Sequence, residues 1–155
     1  MTWPRPIRVV GVGSPVGDDA LAWEVVRQLR ERQDSRRDIE VHLVEGGQRI
    51  LDVLDGRGTL LLVDAVGAKT GPGTIHRFEW PDPRVEALRP GSTHDLRPAE
   101  ALRLAAALGI APPRVVVFGM EVESLDPRSG LSPSVMASVP ELVRQLVEEL
   151  NGEEH

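Results

Sequence analysis

Three apolar runs, each stopping at an acid, constrain the fold of this chain more than any other feature. Ile7-Arg-Val-Val-Gly-Val runs into Gly13-Ser-Pro-Val-Gly-Asp18-Asp19. Glu40-Val-His-Leu-Val ends at Glu45-Gly46-Gly47, and Thr59-Leu-Leu-Leu-Val ends at Asp64. The first and third runs are almost unbroken, as expected of strands covered on both faces. If the three strands are parallel, their acids gather at one edge of one sheet. That edge, beyond the carboxyl ends of the strands, is where open α/β sheets bind ligands. Carboxylates clustered there are costly unless something positive sits among them, such as a metal, a shared proton or a cationic substrate.

The segments between the runs have helical periodicity. Ala22, Val25, Val26 and Leu29 repeat at i, i+3, i+4 and i+7, which predicts a helix over about 19–32. A second strand over about 40–44 and a short helix around 50–54 follow, and the third strand runs over 59–64. Lys69-Thr-Gly-Pro-Gly is a turn. The alternating segment 74–80 follows it too closely for a helical crossover, so it is expected antiparallel to the third strand or its neighbour. Residues 81–90 read as irregular. A helix is expected over about 97–108, with Pro98 in its first turn and Gly109 as its C-cap. A fifth strand is expected over 114–120 and a loop over 121–131. Ser132-Pro133 is an N-cap pair for the last helix, whose stripe is Val139, Leu142, Val143, Leu146 and Leu150. Pro140 implies a helix start or a kink there. The alternation predicts a three-layer α/β/α sandwich with a mostly parallel five-stranded sheet, one strand antiparallel.

At 155 residues, with no internal repeat or linker, the chain is expected to form one domain over 1–155. A net charge of -6 argues against broad nucleic-acid binding, which needs a basic face. No apolar run approaches the ~18 residues of a membrane helix. Met-Thr-Trp-Pro-Arg-Pro lacks an apolar signal core, so the cytoplasm is the expected compartment. Zero cysteines remove thiolate metal sites and cysteine nucleophiles together.

The loop Gly11-Val-Gly13-Ser-Pro-Val-Gly17 resembles a dinucleotide fingerprint in position. Its third glycine comes one residue late, and Asp18 and Asp19 occupy the place where a pyrophosphate would meet the helix N-terminus. Capping accounts for one aspartate better than for two, so Asp18 reads as the cap. Asp64 ends a buried run; it is either a turn former or a carboxylate facing the crevice. Glu45 either supports a site or merely ends a strand. His42 and His76 read as partly exposed strand positions, and His155 is terminal. His94, in Gly91-Ser-Thr-His-Asp, is either a loop residue or one able to reach the sheet edge. One imidazole and two carboxylates suit nickel, zinc, iron or manganese, and three protein ligands leave positions open for water or a partner's group. Ser14 and Ser92 sit in no Gly-x-Ser-x-Gly elbow, which disfavours a serine hydrolase.

At these residues the chain resembles the nickel–iron hydrogenase maturation endopeptidases. The matching phrases run in order: 11–19, Glu45-Gly46-Gly47, Leu62-Val-Asp64-Ala-Val and Gly71-Pro-Gly-Thr. Ser92-Thr-His94, Val117-Phe-Gly119, Glu123-Ser-Leu-Asp-Pro and Gly130-Leu-Ser-Pro continue them. The resemblance implies an endopeptidase that removes a C-terminal extension from a hydrogenase large-subunit precursor after nickel insertion. It implies that nickel arrives with that substrate and is recognised by Asp19, Asp64 and His94, which would also be the catalytic set. The chain departs from the family at Ser14, often Asn, and at Ala20-Leu-Ala22, often Gly-x-Gly. Its first loop is also one residue shorter. The alternatives are a non-cleaving chaperone of the same subunit and a small metal-dependent hydrolase of other specificity. The expected partner is the precursor, with no nucleic acid and no membrane.

Overall fold

The computed structural model describes residues 3–13, 20–32, 39–67, 69–87, 97–122 and 131–152. The strands are β1 (Ile7–Val12), β2 (Ile39–Val44), β3 (Thr59–Gly67), β4 (Ile75–Trp80) and β5 (Arg114–Val122). The helices are α1 (Ala20–Arg32), α2 (Pro98–Ala107) and α3 (Pro133–Gly152), and short 3-10 helices span Gly47–Val53 and Pro83–Ala87. All five strands form one sheet in the order β2-β1-β3-β5-β4. β2, β1, β3 and β5 are parallel, and β4 is antiparallel to β5. Of the two partners allowed for β4 by its short connection, β5 is the real one.

Side-chain alternation sorts the sheet into two faces. Ile7, Val9, Leu61, Val63, Val116 and Phe118 pack with α1 and α3. Val10, Val12, Leu60, Leu62, Val66, Val115 and Val117 pack with α2 and both 3-10 helices. This is the expected three-layer sandwich. The helical stripe on α1 buries Leu21, Ala22, Val25, Val26 and Leu29, the face predicted from its spacing. Gly109 takes a positive φ of 75° just after α2, as a helix-ending glycine does.

Two boundaries differ from the sequence reading. β3 continues past Asp64 to Gly67, because β5 keeps pairing with it: Ala65 lies opposite Met120, Val66 opposite Glu121 and Gly67 opposite Val122. For the same reason β5 runs through Glu121 and Val122, where the sequence pattern predicts a loop. The last helix starts where the Ser132-Pro133 pair placed it, so of the two readings of Pro140 the helix start is the one set aside. α3 begins at Pro133, with the Ser132 hydroxyl accepting the Val135 N–H at 3.3 Å, and passes through Pro140. Pro140 lies on the exposed side of the helix, from which it removes one backbone donor.

Candidate functional site

The strand order places a crevice at a definite point. From β1 the chain passes through α1 to β2 on one side, and β3 lies on the other side of β1. Ligands of open α/β sheets bind where strand order reverses in this way. The pairing of β1 with β3 ends at Gly11 opposite Val63. Beyond it, β1 stays with β2, and the Gly13 N–H reaches the Val44 carbonyl at 2.8 Å. Asp64 is therefore the first residue of β3 past the fork between β1 and β3. It is fully buried, and its Oδ1 accepts the Ala65 N–H at 2.8 Å. The expectation that Asp64 ends its strand is corrected: it lies inside a strand that extends three residues further.

Asp64 shares its face with Leu62 and Val66, and so with α2. The C-terminal end of α2 leads to Ile110, whose carbonyl accepts the Gly56 N–H at 3.0 Å, near the start of β3. The α2 N-terminus therefore points to the carboxyl edge of the sheet. Arg97 stands there, with its N–H on Glu100 Oε1 at 3.2 Å. α1 begins at Ala20 at the same edge, one residue after Asp19. Asp19 and His94 themselves, like Asp18, Ser14, Ser92 and His155, lie outside the described residues. Among the described residues no group of three or more His, Asp or Glu side chains is arranged to hold a metal ion. Glu45 is exposed just beyond β2, on the far side of β1 from Asp64. Of the acidic stops among the described residues, Glu45 and Asp64 therefore do not share one environment.

The two strand histidines are partly exposed, as read. His42 meets Glu40 at 2.9 Å on the outer strand. His76 has a partner that the sequence did not suggest. Its Nε2 lies 2.7 Å from Oε2 of Glu121, a carboxylate only 2% exposed. Glu121 Oε1 accepts the backbone N–H groups of Lys69, Thr70 and Gly71 at 2.5, 2.7 and 3.1 Å. Burial pushes the Glu121 pKa up, but His76 and these three donors outweigh burial and hold it down at about 2. An ionised carboxylate can only accept, so His76 Nε2 carries the hydrogen. Glu121 was missed because β5 was ended at Met120. Continuing the alternation of Val115, Val117 and Gly119 by one step would have placed it on the Asp64 face.

A groove of about 630 Å³ lies between α1 and β2, lined by Trp23, Val26, Leu43 and Leu131 among others. It opens on the face opposite Asp64, since Leu43 follows Val41 in alternation on the α1 side. The carboxylates that line it, Glu24 and Glu31, are partly or largely exposed, unlike the fully buried Asp64.

Comparison with known proteins agrees with this architecture. A family model described as hydrogenase maturation protease, HycI, matches residues 23–149. The hydrogenase 2 maturation protease of Escherichia coli K12 is 30% identical over 148 residues, covering 91% of this chain and 88% of the relative. The structure of the hydrogenase maturating endopeptidase HybD from E. coli superposes with a TM-score of 0.79 at 29% identity, covering 94% of this chain and 92% of that one. The hydrogenase maturation protease HycI from Thermococcus kodakarensis superposes with a TM-score of 0.70 over 96% and 94% of the two chains. At 19% identity that likeness is one of fold.

Proposed function

The chain belongs to the hydrogenase maturation protease family, and from that premise we propose that it removes the C-terminal extension of a nickel–iron hydrogenase large-subunit precursor once nickel is in place. It is a peptidase. The observation that carries the reading is the family match across 23–149, joined by a buried aspartate, Asp64, at the fork between β1 and β3.

Nickel in this proposal belongs to the substrate. Asp19, from the loop that opens α1, Asp64 and His94 complete its coordination and so hold the scissile bond in the crevice. Two carboxylates and an imidazole are an N/O donor set suited to that ion, and nickel offsets the charge of carboxylates gathered at one edge. Hydrolysis adds water across the peptide bond, leaving a carboxylate on the mature subunit and an amine on the released extension. A carboxylate of the set takes a proton from the attacking water, and the departing amine gains one. Because the site is completed by the substrate's own metal, cleavage waits for metal insertion. The proposed compartment is the cytoplasm; among the described residues, no helix is long and apolar enough to cross a membrane.

The test is cleavage of nickel-loaded precursor by the wild type and by Asp19→Ala, Asp64→Ala and His94→Ala. Each substitution is expected to lower the rate by about 100-fold or more. Retained cleavage by all three would sink the assignment. A wild type that binds the precursor without shortening it would instead indicate the non-cleaving chaperone.

A further inference from the structure

Asp64, Gly119 and His76 lie side by side across three strands: Asp64 is opposite Gly119 on β5, and Gly119 is opposite His76 on β4. All three belong to the face packed with α2. Leu62 and Val66 flank Asp64 there, Val115 and Val117 precede Gly119 in alternation, and Phe78 follows His76. Neighbouring strands lie about 4.8 Å apart, so the backbones of Asp64 and His76 are separated by roughly 10 Å. The residue between them has no side chain. The row therefore has a buried carboxylate at one end, a buried glycine in the middle and a partly exposed imidazole at the other end. About three residues of an extended chain span that distance.

His76 is held in a way that packing alone does not require. The Glu121 position falls in a row otherwise made of Val115, Val117 and Gly119, so an apolar residue would suit the fold. A buried carboxylate there carries a desolvation cost. One of its oxygens takes three backbone donors from the turn at 69–71, and the other takes His76. The imidazole also stacks on Phe78, with ring centroids 5.8 Å apart and planes 9° from parallel. Its orientation is thus fixed at the nitrogen and at the ring face. About a third of the side chain stays exposed, at the same edge as Lys69 and Thr70, which are exposed too. A carboxylate that fixes the tautomer and direction of an imidazole is the arrangement used wherever histidine must meet a substrate in one pose.

We propose that His76, held by Glu121 on the Asp64 face of the sheet, contacts the precursor polypeptide and carries it on the β4 side of the crevice. The substrate is a polypeptide segment in extended form, passing over the partly exposed edge of the His76 ring beside Lys69 and Thr70. His76 supplies a hydrogen bond to its backbone through the ring edge not taken by Glu121. Glu121 is a positioning residue, acting through His76 and through the turn at 69–71. This inference rests on the precursor-cleaving role proposed above and adds a contact point outside the nickel set.

Steady-state cleavage and direct binding of nickel-loaded precursor separate the two ideas. His76→Ala is expected to raise KM and the precursor Kd by about tenfold while kcat changes less than about threefold. His76→Gln, which can still reach Glu121 but lacks the ring, should behave like His76→Ala and serves if the alanine variant is unstable. Glu121→Gln should raise KM in the same direction, an effect that a purely structural role would not confine to KM. Adding precursor to ¹⁵N-histidine-labelled enzyme should move the His76 ring resonances. Unchanged KM, Kd and ring resonances in folded variants would overturn the proposal while leaving the protease reading intact. A wild type that neither binds nor cleaves the precursor would overturn the functional reading itself, and this inference with it.

Discussion

Glu121→Gln isolates the energetic consequence of burying one ionised carboxylate at the carboxyl edge of the sheet. The folded-state pKa of Glu121 is held at about 2, below its ordinary value of 4.5, despite burial that acts the other way. A group with a depressed folded pKa contributes stability that is fully present above its unfolded pKa. That contribution disappears as pH falls through the folded pKa. The gap between the two values corresponds to about 3 kcal/mol at neutral pH. By pH 3 the linkage leaves about 1 kcal/mol. Glutamine keeps the side-chain length and one acceptor oxygen for the three backbone donors, and it is neutral at every pH. It therefore stands in for the protonated glutamic acid. Urea unfolding followed by tryptophan fluorescence should show the variant about 3 kcal/mol less stable at pH 7, with the gap closing to about 1 kcal/mol at pH 3. Glu24, Glu40, Asp55, Asp82, Glu100 and Glu141 also have lowered pKa values. Their contributions are common to both proteins and cancel in the difference. A difference that stays constant from pH 7 to pH 3 would refute the reasoning, because the lost stability would then not be electrostatic.

Three further outcomes follow from the geometry. Gly58 has φ 87°, and a Cβ there would meet the Pro6 carbonyl oxygen at 2.0 Å; that oxygen is also tied to the Thr59 N–H. Gly58→Ala should cost about 3 kcal/mol or more in urea denaturation, and an unchanged midpoint would contradict the assigned backbone. Leu142→Ala empties a fully buried position where α3 meets the sheet and α1, and should lower stability by about 2–5 kcal/mol with no change in KM. Precursor prepared without nickel should remain uncut by wild-type enzyme, with cleavage restored when nickel is inserted; efficient cleavage of the nickel-free form, read on a gel, would remove nickel from the proposed recognition.

Much of the fold was legible because its signals are local. The unbroken run at 59–64 needed cover on both faces, and β3 is buried from Thr59 to Val66. The spacing of Ala22, Val25, Val26 and Leu29 fixed which side of α1 faces inward, and the short connection through 69–73 fixed an antiparallel fourth strand. The limits of β3 and β5 were not legible, because each is extended by the other: Ala65, Val66 and Gly67 remain strand only because Met120, Glu121 and Val122 run beside them.

The site divides along the same line. The residue order by itself determined that acids follow apolar strands, that Asp64 follows Leu-Leu-Leu-Val, and that the family resemblance runs through 11–19, 62–66 and 92–94. Only the tertiary structure decided that Glu45 stays exposed while Asp64 is fully buried, since this depends on which strand each neighbours. It alone joined His76 to Glu121, 45 positions apart. Period and composition report on neighbours along the chain. A hydrogen bond between adjacent strands depends on strand order and register, which are set by how the whole sheet buries its two faces.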